Sequence, residues 1–246
     1  MAQNKHLDFN LTASSRPKII KFCYFILVVL LLGCGNEKNS KTTEESVSVE
    51  EKAAPVSEKD TSKTILCFGD SITAGYGLDD SNEAFPALLQ NKIDSIGLNY
   101  TVINSGLSGE TTAGGRSRLN WVMKQKVDIF LLELGGNDGL RGIPLTETRA
   151  NLKTIIETIQ EKSSDTRIIL AGMELPPNMG QDYTSEFRKV FADLAAEYDV
   201  EFIPFILKDV GGIAKLNQDD GIHPTAKGHQ IVANTVWEVL EPMIDP

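Results

Sequence analysis

Cysteine is scarce in this chain. Three residues in 246 carry a thiol, none of them in a CxxC pair or beside a histidine cluster. So few thiols cannot build a disulfide framework, and the ligands of a structural zinc site are missing. Histidine is equally scarce, with three residues, so imidazole chemistry has few places to sit. Positive charge is short: 24 Lys+Arg stand against 34 Asp+Glu, a balance of −10. That argues against nucleic acid as a partner, since binding it needs a basic face that releases phosphate counterions. It gives no support to a polybasic membrane patch either. Long apolar runs are also missing. The longest, 22–32, has eleven residues, well under the roughly 20 that a membrane-spanning helix requires. What the chain does have is 41% hydrophobic residues, enough for a globular core and too many for a fully disordered polymer.

The first 33 residues differ from the rest. Lys5, Arg16, Lys18 and Lys21 stand against Asp8 alone, and the eleven-residue apolar run follows. A basic stretch and then a short apolar core form the pattern of a secretory signal. Leu31-Leu32-Gly33-Cys34 resembles a bacterial lipobox, so residues 1–33 read as a lipoprotein signal peptide and Cys34 as the lipidated residue. Residues 35–62 hold no aromatic and are dominated by Ser, Thr, Glu and Lys. Such a segment cannot bury enough apolar area to offset its ordering entropy, and 34–62 reads as lipidated Cys plus flexible tether. The expected location is the bacterial cell envelope, anchored to a membrane outside the cytoplasm.

From residue 63 onward short apolar runs alternate with longer amphipathic stretches. The runs are 64–69, 100–104, 127–134, 167–173 and 200–204. Most are rich in Val, Ile, Leu and Phe without strict alternation, as strands covered on both faces should be. Helical patterns lie between them, at 83–96, 116–126, 146–162, 184–198 and 225–240. In the third, Leu152, Ile155, Ile156 and Ile159 form one apolar stripe. Alternation of this kind predicts a single α/β domain over 63–246 with a parallel sheet between helices. In such sheets ligands bind beyond the carboxyl ends of the strands, so the loops there are the places to search.

Four stretches that follow these strands carry a reactive or donating group. After the first strand comes Gly69-Asp70-Ser71-Ile72-Thr73, where a Ser opening a helical turn presents its hydroxyl at the sheet edge. After the second comes Ser105-Gly106-Leu107-Ser108-Gly109-Glu110, whose glycines let backbone N–H groups approach a ligand closely. After the third comes Gly135-Gly136-Asn137-Asp138, with an amide that can donate to a developing oxyanion. Near the end, Asp220-Gly221-Ile222-His223 places a carboxylate three residues from an imidazole, close enough to take its Nδ1 proton. Taken singly, each is also an ordinary cap or turn. Together they supply a nucleophile, a base, an orienter and oxyanion donors, the full set that acyl transfer needs. His6 falls in the signal and His229 inside the last helix, so His223 alone has an Asp at triad spacing. The GxSxG elbow of α/β-hydrolases is absent, since Ser71 lies in GDSIT.

The blocks GDSITAGYG, SGETT, LGGNDGLRG and DGIHP resemble those of the GDSL lipase/acylhydrolase family, also called SGNH hydrolases. The likeness spans roughly 64–241 and is strongest to the family's bacterial thioesterase I/lysophospholipase and arylesterase branch. It implies a three-layer α/β/α sandwich, flavodoxin-like, with five parallel strands. It implies Ser71 as nucleophile, His223 as general base and Asp220 as its orienter. The Ser71 and Gly109 N–H groups and the Asn137 side chain would form the oxyanion hole. GDSI replaces GDSL, a change in one packing residue. The loop after the fourth strand, Glu174-Leu175-Pro176-Pro177-Asn178, departs from its relatives and leaves chain-length preference open.

The resemblance implies a serine esterase acting on acyl, aryl or lysophospholipid esters, and on thioesters, with no metal or organic cofactor. O-acetyl esters of carbohydrate are the alternative substrate, and a binding lipoprotein without turnover is the alternative of another class. Tyr76, Leu107, Leu140, Ile143, Leu175 and Pro176 are the expected walls of an acyl pocket. Arg141 faces either solvent or a phosphate head group. The expected partners are a small-molecule or lipid ester and, through Cys34, a membrane, with the chain itself a monomer.

Overall fold

The computed structural model describes residues 62–244. The expected signal peptide, Cys34 and all but the last residue of the expected tether lie outside the described residues. Five strands, β1 (Lys63–Gly69), β2 (Tyr100–Gly106), β3 (Ile129–Glu133), β4 (Arg167–Ala171) and β5 (Glu201–Ile203), pair in the order β2-β1-β3-β4-β5. Every pairing is parallel. Gly69 stands opposite Gly106 on one side and Glu133 on the other, so three strands end at the same level.

The helices are α1 (Ser71–Ala74), α2 (Phe85–Ser95), α3 (Thr112–Val122), α4 (Gly136–Leu140), α5 (Leu145–Lys162), α6 (Gln181–Tyr198) and α7 (Ala226–Leu240). α2 packs on α7, while α3 packs on α5 and α5 on α6. These two groups cover both faces of the sheet. Consecutive residues Ile65, Leu66, Cys67 and Phe68 are all buried, which a sheet open on one side would not produce. Phe68 meets Phe130 within the core, and Phe187 meets Phe191 edge-on. Truncating a residue at the centre of this core, such as Leu131, to Ala should cost about 2–5 kcal/mol. Among the described residues no helix is long and apolar enough to cross a membrane.

The α/β sandwich with five parallel strands is the architecture expected from the sequence. Helix starts differ from the periodicity by four residues at α3, three at α6 and two at α2. α3 starts at Thr112, because Thr111 caps it by accepting from the Gly114 N–H. Its glycines mask that turn in the sequence, yet Gly115 is needed there: a Cβ would fall 2.3 Å from Leu134 Cδ1. α2 starts at Phe85, after a 3-10 turn over Ser81–Glu83 and with a proline in its first turn. The short α1 and α4 carry no apolar stripe and leave no periodic signal in the sequence. With strand order 2-1-3-4-5 the chain reverses direction across the sheet between β1 and β3. The crevice above that point is the ligand position for this topology.

Candidate active site

The β1–α1 turn presents Ser71 at that crevice. Asp70 is the N-cap of α1, its Oδ1 accepting from the Ile72 N–H at 3.0 Å. Ser71 follows as the first helical residue, with a left-handed Gly75 closing the turn. His223 arrives from 152 residues further along, on a loop braced by the antiparallel bridge Asn217–Pro224. Gln218 fastens that loop to the turn that carries Ser71: its Nε2 donates to Tyr76 O at 2.7 Å and to Pro224 O at 3.1 Å. His223 Nε2 lies 2.9 Å from Ser71 Oγ, and His223 Nδ1 lies 2.6 Å from Asp220 Oδ2. The other oxygen of Asp220 accepts from the Ile222 N–H at 2.9 Å and the His223 N–H at 3.0 Å. Those donors, the imidazole first, hold the Asp220 carboxyl down to about 2. Ser71, His223 and Asp220 therefore form one hydrogen-bonded chain, with the imidazole between hydroxyl and carboxylate. Asp219, its neighbour in sequence, is exposed.

Asn137 sits in α4, directly after β3, with its amide held from two sides. Nδ2 donates to Asp70 Oδ2 at 2.9 Å, and Oδ1 accepts from the Arg141 guanidinium at 3.3 Å. Both contacts fix which way the amide faces and leave its second N–H available. Gly109 stands in the loop between β2 and α3 with φ of +80°, a conformation that favours glycine. Arg118 of α3 secures that loop, pairing with Glu110 through two nitrogens and bonding Ser105 through its hydroxyl and carbonyl. Its guanidinium also lies 3.9 Å from the Phe68 ring centroid. The neighbouring Asp138, fully buried, accepts from the Thr112 N–H at 2.9 Å and so ties α4 to the start of α3.

The expected pocket walls divide. Tyr76, Leu107 and Leu140 are exposed around the crevice, and Tyr76 lies 4.7 Å from the His223 ring, centroid to centroid. Ile143 is half-buried and Pro176 exposed. Leu175 is buried instead, filling the space above Gly139 beside Phe187. His229, in α7, is fully buried and accepts from the Phe85 N–H at 3.3 Å. Burial, and after it the neighbouring His223, lowers it to about 4. Burial has the opposite effect on Asp70, whose carboxyl rises to about 6. Asp70, Glu133, Arg118 and Gln218 are the residues of this region that sequence reasoning misses. Asp70 alone leaves a trace there, as the capping residue before Ser71. Among the described residues no three or more His, Cys, Asp and Glu side chains gather as a metal site.

This geometry has counterparts among known proteins. Residues 67–231 match the model of the GDSL-like lipase/acylhydrolase family. Esterase TesA of Pseudomonas aeruginosa is 37% identical over 183 residues, 74% of this chain and 90% of that one. The Escherichia coli thioesterase 1/protease 1/lysophospholipase L1 is 36% identical, over 74% of this chain and 85% of its own. The crystal structure of TesA superposes with a TM-score of 0.71, at 37% identity, over 74% of this chain and all of that one. The esterase EstA of Pseudoalteromonas, solved while inhibited by monoethylphosphonate, gives a TM-score of 0.69 at 31% identity, over 74% and 98%. On fold, family model and similarity alike, the chain belongs to the GDSL-like lipase/acylhydrolase family and is a hydrolase.

Proposed function

We propose that the protein is a serine esterase that cleaves acyl or aryl esters through an acyl-enzyme on Ser71. The observation that carries this reading is the unbroken chain Ser71–His223–Asp220, 2.9 Å and 2.6 Å long, opening on the crevice beside Asn137 and Gly109. Ser71 Oγ attacks the ester carbonyl carbon while His223 Nε2 takes its proton. The carbonyl oxygen becomes an anion, received by the Asn137 amide and the Ser71 and Gly109 N–H groups. The intermediate collapses, the C–O bond to the alcohol breaks, and the imidazolium returns its proton to that oxygen. Water repeats the sequence on the acyl-enzyme and releases the acid. Asp220 keeps Nδ1 protonated, so Nε2 is the basic nitrogen, and it stabilises the imidazolium while it exists. Thioesters offer the same carbonyl. The names of the Pseudomonas and Escherichia relatives support the esterase reading and extend it to thioesters and lysophospholipids.

The proposal includes a lipid anchor at Cys34, supported by the basic stretch, the short apolar run and the Leu-Leu-Gly-Cys sequence. An enzyme so held acts at a membrane outside the cytoplasm. Metabolic labelling with a fatty acid should mark the wild type and leave Cys34→Ala unlabelled.

The catalytic reading is tested with p-nitrophenyl acetate, butyrate, octanoate and palmitate on the full-length protein and on Ser71→Ala. Hydrolysis should be present in the first and absent in the second. Preference for the longer chains supports lipid esters. Activity confined to acetate directs the search to acetylated carbohydrate. Equal release by both proteins overturns the proposal.

A further inference from the structure

Beneath the nucleophile lies a carboxyl that acyl transfer does not touch. Glu133 ends β3, opposite Gly69 in the parallel register, and is 1% exposed. Its Oε2 accepts from the Thr73 hydroxyl at 2.7 Å and from the Asp70 N–H at 3.2 Å. Its Oε1 is buried without a hydrogen-bond partner. The approach is made possible by Gly69, where a Cβ would fall 2.1 Å from Thr73 Oγ1 and 2.4 Å from Glu133 Oε2. Glu133 thus grips both sides of the turn that carries Ser71. It is linked through Asp70 to the amide of Asn137.

The surroundings decide its charge. Asp70 faces it from the turn, Thr73 from α1 and Cys67 from β1. Arg118 of α3 is committed to Glu110 and Ser105 and reaches this side only as far as Gly69 O, at 3.4 Å. Asp70 has the Ile72 N–H, the Asn137 amide and the attraction of His223 to support a negative charge. Glu133 has neutral donors alone, the Thr73 hydroxyl and the Asp70 N–H on Oε2 with the Thr73 N–H beside them, and its Oε1 has no hydrogen-bond partner. A bare anionic oxygen buried beside a second carboxylate is far costlier than a neutral acid.

We infer that Glu133 is a positioning residue of the esterase: a neutral carboxylic acid that fixes the β1–α1 turn so that Asp70, as carboxylate, holds the Asn137 amide toward the reacting carbonyl. The inference rests on the Ser71 reading above. Burial and the neighbouring Asp70 charge push the Glu133 carboxyl well above the ordinary range, in agreement with that state. The two carboxyls then share one negative charge at neutral pH, and the distribution of hydrogen bonds assigns it to Asp70. An ionised Glu133 would drive the proton onto Asp70 and weaken the acceptor that orients Asn137.

The test compares Glu133→Gln with Glu133→Leu in the full-length protein. Active sites are counted by covalent phosphonate labelling, so that only folded enzyme enters kcat. Gln keeps a neutral acceptor and should hold kcat within about threefold of wild type. Leu keeps the bulk but offers no acceptor, and should lower kcat by roughly tenfold or more while KM for p-nitrophenyl butyrate stays within about twofold. Infrared spectra of the wild type at pH 8 should show the carbonyl band of a protonated carboxylic acid, missing in Glu133→Gln. A Gln variant as impaired as Leu, a Leu variant with wild-type kcat, a loss carried by KM, or no acid band would each overturn the inference. If Glu133→Leu does not accumulate, the Gln variant and the acid band decide. Failure of wild-type enzyme to label at Ser71 would instead strike the catalytic reading itself.

Discussion

The guanidinium of Arg141 donates to the carbonyl of Gly109 at 2.9 Å, joining the loop after β2 to the helix that follows β3. The same nitrogen reaches Asn137 Oδ1, so one side chain spans two of the proposed oxyanion donors. The contact is solvent-exposed, which limits its worth to about 0.5–1.5 kcal/mol. Arg141→Ala should therefore lower kcat on neutral esters by about threefold to tenfold, with KM little changed. Steady-state kinetics on p-nitrophenyl butyrate would read it, and an unaltered kcat would show that Asp70 suffices to hold the amide.

Asn137→Ala should be far more damaging. In the proposed mechanism it removes a donor to the charge that develops on the carbonyl oxygen, a loss worth about 10²–10³ in kcat. KM should move little, since the ground-state carbonyl gains less from that donor than the oxyanion does. A loss confined to KM would place Asn137 in substrate binding instead.

Asp220→Asn keeps the shape of the loop and removes the acceptor that selects the His223 tautomer. It should lower kcat by about two to four orders of magnitude. Its effect on stability should be small, because the Asp220 side chain is 39% exposed and solvent screens the pair. The sign is definite. A carboxyl depressed to about 2 stabilises the fold above its ordinary value and loses that contribution as pH falls toward 2. Wild type and variant should thus converge in urea midpoint at the acid end and separate slightly above pH 5.

Asp70 behaves in the opposite sense. Its carboxyl is raised to about 6, so its contribution is favourable below the ordinary carboxylate value and is lost as pH rises through 6. Between pH 4 and pH 8 the wild type should lose stability relative to Asp70→Asn, which has no carboxyl at that position. Urea unfolding of both proteins across this range would measure it, and parallel curves would contradict it. The variant should also lose activity, because the charged acceptor for Asn137 is gone. The enzyme carries this ionised group at a cost in stability.

Much of the fold and of the candidate site is legible in the sequence. Ser71 and His223 lie 152 residues apart, yet both follow apolar runs, and a parallel sheet brings the ends of such runs to one edge. The DxxH spacing points to Asp220 because three residues make one turn. The parts that cannot be read depend on tertiary neighbours. Glu133 looks like the polar end of a strand, and nothing in its sequence reports the glycine opposite or the Thr73 hydroxyl above it. Gln218 is one polar residue in an irregular stretch, and its bond to the Tyr76 carbonyl spans 142 positions. Leu175 shares the apolar character of a pocket wall. The small size of Gly139 is what lets it turn into the core.

The most direct measurement is covalent. Full-length protein would be incubated with a p-nitrophenyl alkylphosphonate, digested, and its peptides weighed by mass spectrometry, with His223→Ala treated in parallel. One adduct is expected, on Ser71, formed rapidly in the wild type and far more slowly in the variant. An adduct on another residue, or labelling of Ser71 at equal rates in both proteins, would contradict it.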